Sequence, residues 1–147
     1  MTESRTGTST ARSTPASWRP RLAAVAAVAA ATAANIVLAL LAPLFGADLE
    51  VAPPGQDPMT LSFVDFALLS AVFGLIGWGT LALAERLFGA GRGRLVWTAA
   101  AVLFTVVSFV PSLNAGATPA TAAVLVFSHV VVAAIVTPVF RRISRVA

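Results

Sequence analysis

Residues 95–140 read LVWTAAAVLFTVVSFVPSLNAGATPATAAVLVFSHVVVAAIVTPVF, and these 46 residues contain no Asp, Glu, Lys or Arg. An α-helix that crosses a bilayer needs about 20 mostly apolar residues. The stretch is therefore too long for one crossing, and turn-forming residues between Pro111 and Pro119 interrupt it. We predict two membrane-spanning helices joined by a tight turn, at about 95–113 and 119–140.

The rest of the 147-residue chain has the same character, since 58 % of its residues are hydrophobic and only 11 % are charged. Soluble domains carry about 25 % charged residues. Residues 22–47 and 66–84 are also free of charge, and they predict spans at about 22–45 and 63–84. The expected fold is all-α, a membrane-spanning antiparallel four-helix bundle.

The first span has one alternative interpretation, a cleaved signal peptide, because Arg19 and Arg21 precede an alanine-rich run. A signal peptide has an apolar region of about 7–15 residues, which gives way to polar mature sequence. Here the apolar run continues to Leu41 and beyond. We therefore expect this segment to be a retained span.

The arginines occupy only three regions of the chain. They lie in a Ser/Thr/Arg-rich tail (1–21) that we expect to be disordered, between the second and third spans (86–94), and in a basic C-terminal tail (141–147). The members are Arg5, Arg12, Arg19, Arg21, Arg86, Arg92, Arg94, Arg141, Arg142 and Arg145. With four spans, all ten fall on one side of the membrane.

This charge distribution predicts an orientation. The loop at 46–62 has no arginine and carries Asp48, Glu50 and Asp57. Positively charged flanks are retained in the cytoplasm. We expect a multi-pass protein of the cell membrane with both termini cytoplasmic.

A few polar residues inside the spans are the default candidates for a functional site, because polar groups in hydrocarbon are costly. Counted at the helical rise from the arginine side, Asn35, Ser70, Ser108 and His129 lie at about 16–21 Å depth. We predict that these four form a buried polar cluster. The alternative is that they only make interhelical hydrogen bonds, which contribute about 0.6–2 kcal/mol each.

Two sequence patterns mark helix starts. Ser62 and Asp65 match a capping box at the second span, and Thr118 before Pro119 matches an N-cap at the fourth. Asp65 is also a candidate carboxylate on the outer face. Its alternative role there is a site for a cation or a proton.

Small residues predict where the helices pack, since close backbone approach drives helix association in lipid. The first span carries alanine on nearly every face, and Ser70 and Gly74 are four residues apart on the second. We expect the second span to be central. Trp97 opens the third span, where indole rings favour the membrane interface.

Several function classes lack the residues they need. The chain has no cysteine and a single histidine, which excludes thiol chemistry and multi-histidine metal sites. No phosphate-binding or dinucleotide-binding motif occurs. A net charge of +4 comes without a basic helix face or an aromatic platform. We expect no enzyme activity, no cofactor and no nucleic-acid partner.

The chain resembles a family of small four-span membrane proteins from high-GC Gram-positive bacteria, known only as a domain of unknown function. The resemblance covers roughly 20–145. The motifs that carry it are Pro53-Pro54-Gly55, Leu-Ala-Glu85-Arg86, Trp97, the segment from Ser108 to Pro111, and Ser128-His129-Val130-Val131. It implies a four-helix membrane fold and no activity or binding residue.

Small multidrug transporters resemble this chain in outline, but their membrane-embedded glutamate is missing, since residues 22–45 contain no acid. The expected function is a structural or accessory module, whose partners are the lipid bilayer and another membrane protein or a second copy. The alternative is a small oligomeric transporter or permeability element with Asn35 and His129 along its path.

Overall fold

The computed structural model describes residues 18–143 and contains four helical spans. They comprise α1 (Trp18–Leu41), α2 (Phe63–Phe88), α3 (Ala90–Val107) with the short α4 (Phe109–Leu113), and α5 (Pro119–Ile143). All four spans are long and apolar enough to cross a membrane. The predicted all-α four-helix bundle is confirmed.

The span boundaries differ from the predicted ones at the arginine-bearing ends. Helix α1 begins at Trp18 rather than at residue 22, α2 continues to Phe88, and α5 continues to Ile143. Most of the predicted tail 1–21, and residues 144–147 of the C-terminal tail, lie outside the described residues.

The helices form a ring in which α1 packs between α2 and α5, and α3 packs against α2 and α5. Across the ring, α2 and α5 also contact each other. Helix α2 therefore contacts the other three spans, as expected for a central span, and so does α5. The larger buried cluster lies toward the arginine-bearing ends, and Leu81, Trp97 and Phe140 are its large members. We call this end of the bundle the arginine end.

Prolines modify the opposite ends of two spans. After α1 the chain tightens into a 3₁₀ helix, Ala42–Phe45, which contains Pro43 and ends at Gly46 with φ 75°. The third span is interrupted at Ser108, one turn before Pro111. Proline has no N–H to donate to the carbonyl four residues earlier, so the regular helix cannot continue unchanged through it.

The segment between α1 and α2 forms a small cap that was not predicted. Strands β1 (Glu50–Val51) and β2 (Met59–Thr60) pair antiparallel, and residues 52–58 connect them. The Ala52 N–H donates to the Ala115 carbonyl at 2.7 Å. A side chain at Gly116 would collide with the Ala52 carbonyl, so glycine permits this contact. We call this end, which bears Asp48, Glu50, Asp57 and Asp65, the acidic end.

Residues 86–94, expected to connect the second and third spans, are mostly helical, because Gly89 alone separates α2 from α3. Gly89 has φ 77°, which reverses the chain without a longer connection. A Cβ at Gly93 would lie 2.6 Å from the Ala84 carbonyl oxygen. Glycine therefore lets the two helices meet closely just after the turn.

Trp97 faces the interior of the bundle near the arginine end. Its side chain is buried, and the indole N–H lies 3.0 Å from the Gly77 carbonyl and 3.1 Å from the Thr80 hydroxyl. Its ring packs against Phe140 at a centroid distance of 5.8 Å. An indole whose N–H finds partners on a neighbouring helix can enter the core.

Candidate functional site

A buried polar junction joins three spans in the interior of the bundle. The amide nitrogen of Asn35 on α1 donates to the Ser70 hydroxyl on α2 at 2.8 Å. It also donates to the Ser128 carbonyl on α5 at 3.4 Å. These three residues, which we call the polar junction, are at most 7 % exposed, so the hydrogen bonds form away from solvent.

The amide of Asn35 is only half satisfied. Its oxygen is buried and has no hydrogen-bond partner among the described residues. A buried acceptor without a donor costs about 1–3 kcal/mol. The junction therefore contains an open acceptor, that is, a buried oxygen that no described residue satisfies.

The structure brings together only two of the four residues in the predicted cluster, Asn35 and Ser70. The Ser108 hydroxyl donates to the Thr105 carbonyl at 2.6 Å, on its own helix. His129 Nδ1 lies 2.7 Å from the Leu125 carbonyl, one turn earlier in α5. Because a carbonyl can only accept, Nδ1 carries the proton of that bond.

Sequence reasoning missed Ser128, the third member of the junction. It stands beside His129, and it shares a face of α5 with Thr121 and Val124, which are also buried. That buried face, rather than the single histidine, was the signal in the sequence. Asn35 reaches the Ser128 backbone, and the Ser128 hydroxyl donates to the Leu125 carbonyl at 2.7 Å.

Asp48 organises a second polar network at the acidic end. Its carboxylate accepts from the Thr121 hydroxyl at 2.7 Å and from the Glu50 N–H at 3.1 Å. The Thr118 hydroxyl lies 3.5 Å from the same carboxylate. The Thr121 hydrogen bond, and then that of Glu50, hold the pKa of Asp48 below its ordinary value of 3.8.

The predicted caps are confirmed. The Ser62 N–H donates to the Asp65 carboxylate at 2.7 Å, and the Asp65 N–H donates back to the Ser62 hydroxyl at 3.4 Å. Thr118 receives the Thr121 N–H at 3.3 Å at the start of α5. Asp65 thus acts as the capping residue of α2.

The arginine end contains one ion pair within the described residues. Glu85 on α2 lies 3.9 Å from the Arg94 guanidinium on α3. Arg94 also donates to the Ala90 carbonyl at 2.9 Å and reaches the Arg141 carbonyl of α5 at 3.5 Å. This arrangement ties the α2–α3 turn to the end of α5, and it brings arginines from separate sequence regions to one end.

The described part of the chain has no set of side chains arranged to bind a metal ion. Between residues 18 and 143, no group of three His, Asp or Glu side chains is placed to hold a metal ion. The polar junction offers an amide, hydroxyls and a carbonyl. Its chemistry is hydrogen bonding.

Fold and site together define a multi-pass membrane protein with four helices able to span a bilayer and a buried polar junction. The chain belongs to a family of unknown function, DUF6069, which matches residues 12–146. The resemblance seen in the sequence is confirmed at this level. No curated protein and no solved structure matches the chain.

Proposed function

We propose that this protein is a non-enzymatic accessory module of the cell membrane, with both termini in the cytoplasm. It associates with another membrane protein, or with a second copy of itself, through the small-residue face of α1. The presence of the described arginines at one end of the bundle supports the orientation. The surface of α1 carries the proposed function.

That surface contains a shallow groove between α1 and α2, of about 420 Å³. We call it the alanine groove; its lining residues are Val25, Val28, Ala29, Thr32, Ala33, Ile36, Ala71 and Leu75. Ala29 and Ala33 are exposed and lie one turn apart. Small residues at this spacing let a second helix approach closely.

The other spans present a different surface. Leu68 and Phe73 on α2 and Leu103 on α3 are about half exposed or more. Large aliphatic and aromatic side chains are well covered by lipid tails. Helix α1 also exposes Val37 and Leu40, so the alanine groove, rather than the whole of α1, is the proposed face for a protein partner.

Thr32 adds a polar group to the alanine groove. Its hydroxyl oxygen is buried and has no partner among the described residues. By comparison, the hydroxyls of Thr98 and Thr105 donate to carbonyls of their own helix at 2.7 and 2.8 Å. A small change of rotamer would allow Thr32 to bond across an interface.

Crosslinking in native membranes tests the proposal. The chain has no cysteine, so Ala33→Cys carries the only attachment point for a short photocrosslinker. We expect a discrete protein adduct, which Ala29→Leu abolishes because its larger side chain fills the groove. The matched control, Ala100→Leu on the exposed surface of α3, should leave the adduct unchanged. Lipid adducts alone, or equal loss with both variants, contradict the proposal.

The second candidate, a small oligomeric transporter or permeability element, is favoured by the open acceptor of Asn35. In this role the polar junction would line a path for small polar solutes. Proteoliposomes that contain the wild-type protein should take up a small polar solute. Proteoliposomes that contain Asn35→Leu should not, because this substitution removes the acceptor. Absence of flux in the wild type removes this candidate.

A further inference from the structure

An apolar layer separates the polar junction from the acidic end. Ala39, Phe66 and Val124 are buried together in one cluster. Each lies four residues from a member of the polar junction, on α1, α2 and α5 respectively. Four residues of helix correspond to about 6 Å, so a single turn of side chains closes the junction at this end.

The segment 46–62, which we call the lid, covers this layer. Ala47 and Leu49 of the lid are 2 % and 6 % exposed and belong to the same buried cluster. Leu61 packs against the cluster from the other end of the segment. The lid therefore completes the seal over Asn35.

Asp48 holds the lid on the start of α5. Its carboxylate accepts the Thr121 hydroxyl at 2.7 Å, and the neighbouring Leu49 N–H donates to the same Thr121 oxygen at 3.1 Å. Thr121 is fully buried, whereas Asp48 itself is exposed. These two hydrogen bonds connect the side of the lid nearest α1 to α5.

The rest of the lid is held by the Ala52 N–H, which donates to the Ala115 carbonyl at 2.7 Å, and by the buried side chain of Val51. The strands of the lid have two residues each, and the connection between them is largely exposed. Leu49 has φ 56°, a left-handed conformation that is strained for a residue other than glycine. Short surface segments with local strain open at lower free energy than a helical core.

We propose that the lid opens as a unit, that Asp48 is its latch, and that opening admits water or another small hydrogen-bond donor to the Asn35 oxygen. Such a donor supplies the partner that the buried amide oxygen lacks among residues 18–143. The proposal does not depend on the alanine groove. It holds for an accessory module and for a transporter alike.

Single-cysteine labelling tests the lid in the full chain, which has no native cysteine. Ala39→Cys places a thiol in the apolar layer, and Ala24→Cys places one in the buried core of the arginine end. A charged maleimide is added to each variant in lipid nanodiscs at constant pH. Gln56→Cys, on the exposed connection of the lid, defines full accessibility.

Adding Asp48→Ala should raise the labelling rate at position 39 about tenfold, the size expected when one charge-assisted hydrogen bond holds the closed state. Thr121→Val removes the latch from the other side and should have a similar effect. The matched control is Asp57→Ala, which removes an exposed carboxylate of the same segment and should leave the rate unchanged.

Two results overturn the proposal. The first is equal labelling at position 39 with Asp48→Ala and Asp57→Ala. The second is a parallel rise at position 24, since that shows general loosening of the bundle rather than movement of the lid.

Discussion

At the scale of single residues, the polar side chains inside the spans divide by whether their own helix can satisfy them. A serine hydroxyl or a histidine Nδ1–H can donate to a carbonyl three or four residues earlier, as Ser108 and His129 do. The amide of Asn35 has two N–H groups and reaches two other helices. Asn35 thus joins three spans by hydrogen bonds, whereas Ser108 and His129 bond within their own helices.

The polar junction predicts a difference between two serines. Ser70→Ala leaves an Asn35 N–H without its acceptor and should lower the free energy of unfolding by about 1–2 kcal/mol. Ser128→Ala keeps the backbone carbonyl that Asn35 uses, so its effect should be below about 0.5 kcal/mol. Unfolding in mixed detergent micelles measures both, and equal losses would show that the Asn35–Ser70 bond contributes little.

Asp48 predicts a pH dependence of stability. Its pKa is lowered in the folded protein, chiefly by the Thr121 hydrogen bond, so the native state binds this proton less readily than the unfolded state. The stabilisation is present above the ordinary pKa of 3.8 and is lost as the pH falls through and below it. Between pH 7 and pH 3 the unfolding midpoint of the wild type should fall further than that of Asp48→Asn.

The other carboxylates of the acidic end serve as an internal control. Glu50, Asp57 and Asp65 are present in both proteins, so the difference between the two pH profiles isolates Asp48. Superimposable profiles would contradict the role of the Thr121 hydrogen bond.

At the scale of helices and turns, glycine decides how closely neighbouring elements pack. Gly89 reverses the chain between α2 and α3, and Gly93 lies against the backbone of Ala84 and Glu85. The Glu85–Arg94 pair closes the same hairpin. The α2–α3 hairpin therefore depends on the absence of a side chain at one position of α3.

Two alanine substitutions test this dependence. Gly93→Ala puts a Cβ 2.6 Å from backbone atoms of Ala84 and Glu85, and should destabilise the protein by about 1–3 kcal/mol. Gly91→Ala meets nothing within 4 Å, and should be neutral or stabilising by up to about 1 kcal/mol because alanine favours helix. Melting temperatures of the two variants that rank in the opposite order would refute the close packing at Gly93.

At the scale of the whole molecule, an even number of spans brings the start of α1 and the end of α5 to the arginine end. The Arg94 guanidinium of α3 reaches the Arg141 carbonyl of α5, although the two residues are 47 positions apart in sequence. The side chains of Trp97 and Phe140 meet nearby. The distribution of charge is thus a property of the assembled bundle.

This arrangement predicts the membrane topology. Reporters fused to the N-terminus and to the C-terminus should both be active in the cytoplasm, because positively charged flanks stay on that side. A reporter inserted at Gln56 in the lid should be active on the opposite side. Opposite compartments for the two termini would exclude four spans in one orientation.

The number of spans, the shared end of the arginines between residues 19 and 142, and the two caps were predictable from the order of residues. A membrane span is predicted from the mean hydropathy of residues that are neighbours in sequence. The capping box joins Ser62 and Asp65, which are three residues apart. Such features depend on local chemistry, so they need no knowledge of how the helices are arranged.

The pairing of polar side chains followed from the folded arrangement. Counting residues from the arginine end placed Asn35, Ser70, Ser108 and His129 at a similar depth. The rotation of each helix about its axis decides which of them face each other, and a hydroxyl can donate to its own helix or to a neighbouring one. The same holds for Asp48 and Thr121, which are 73 positions apart. Contacts over such distances arise only once packing has set the rotation of each helix and the path of each loop.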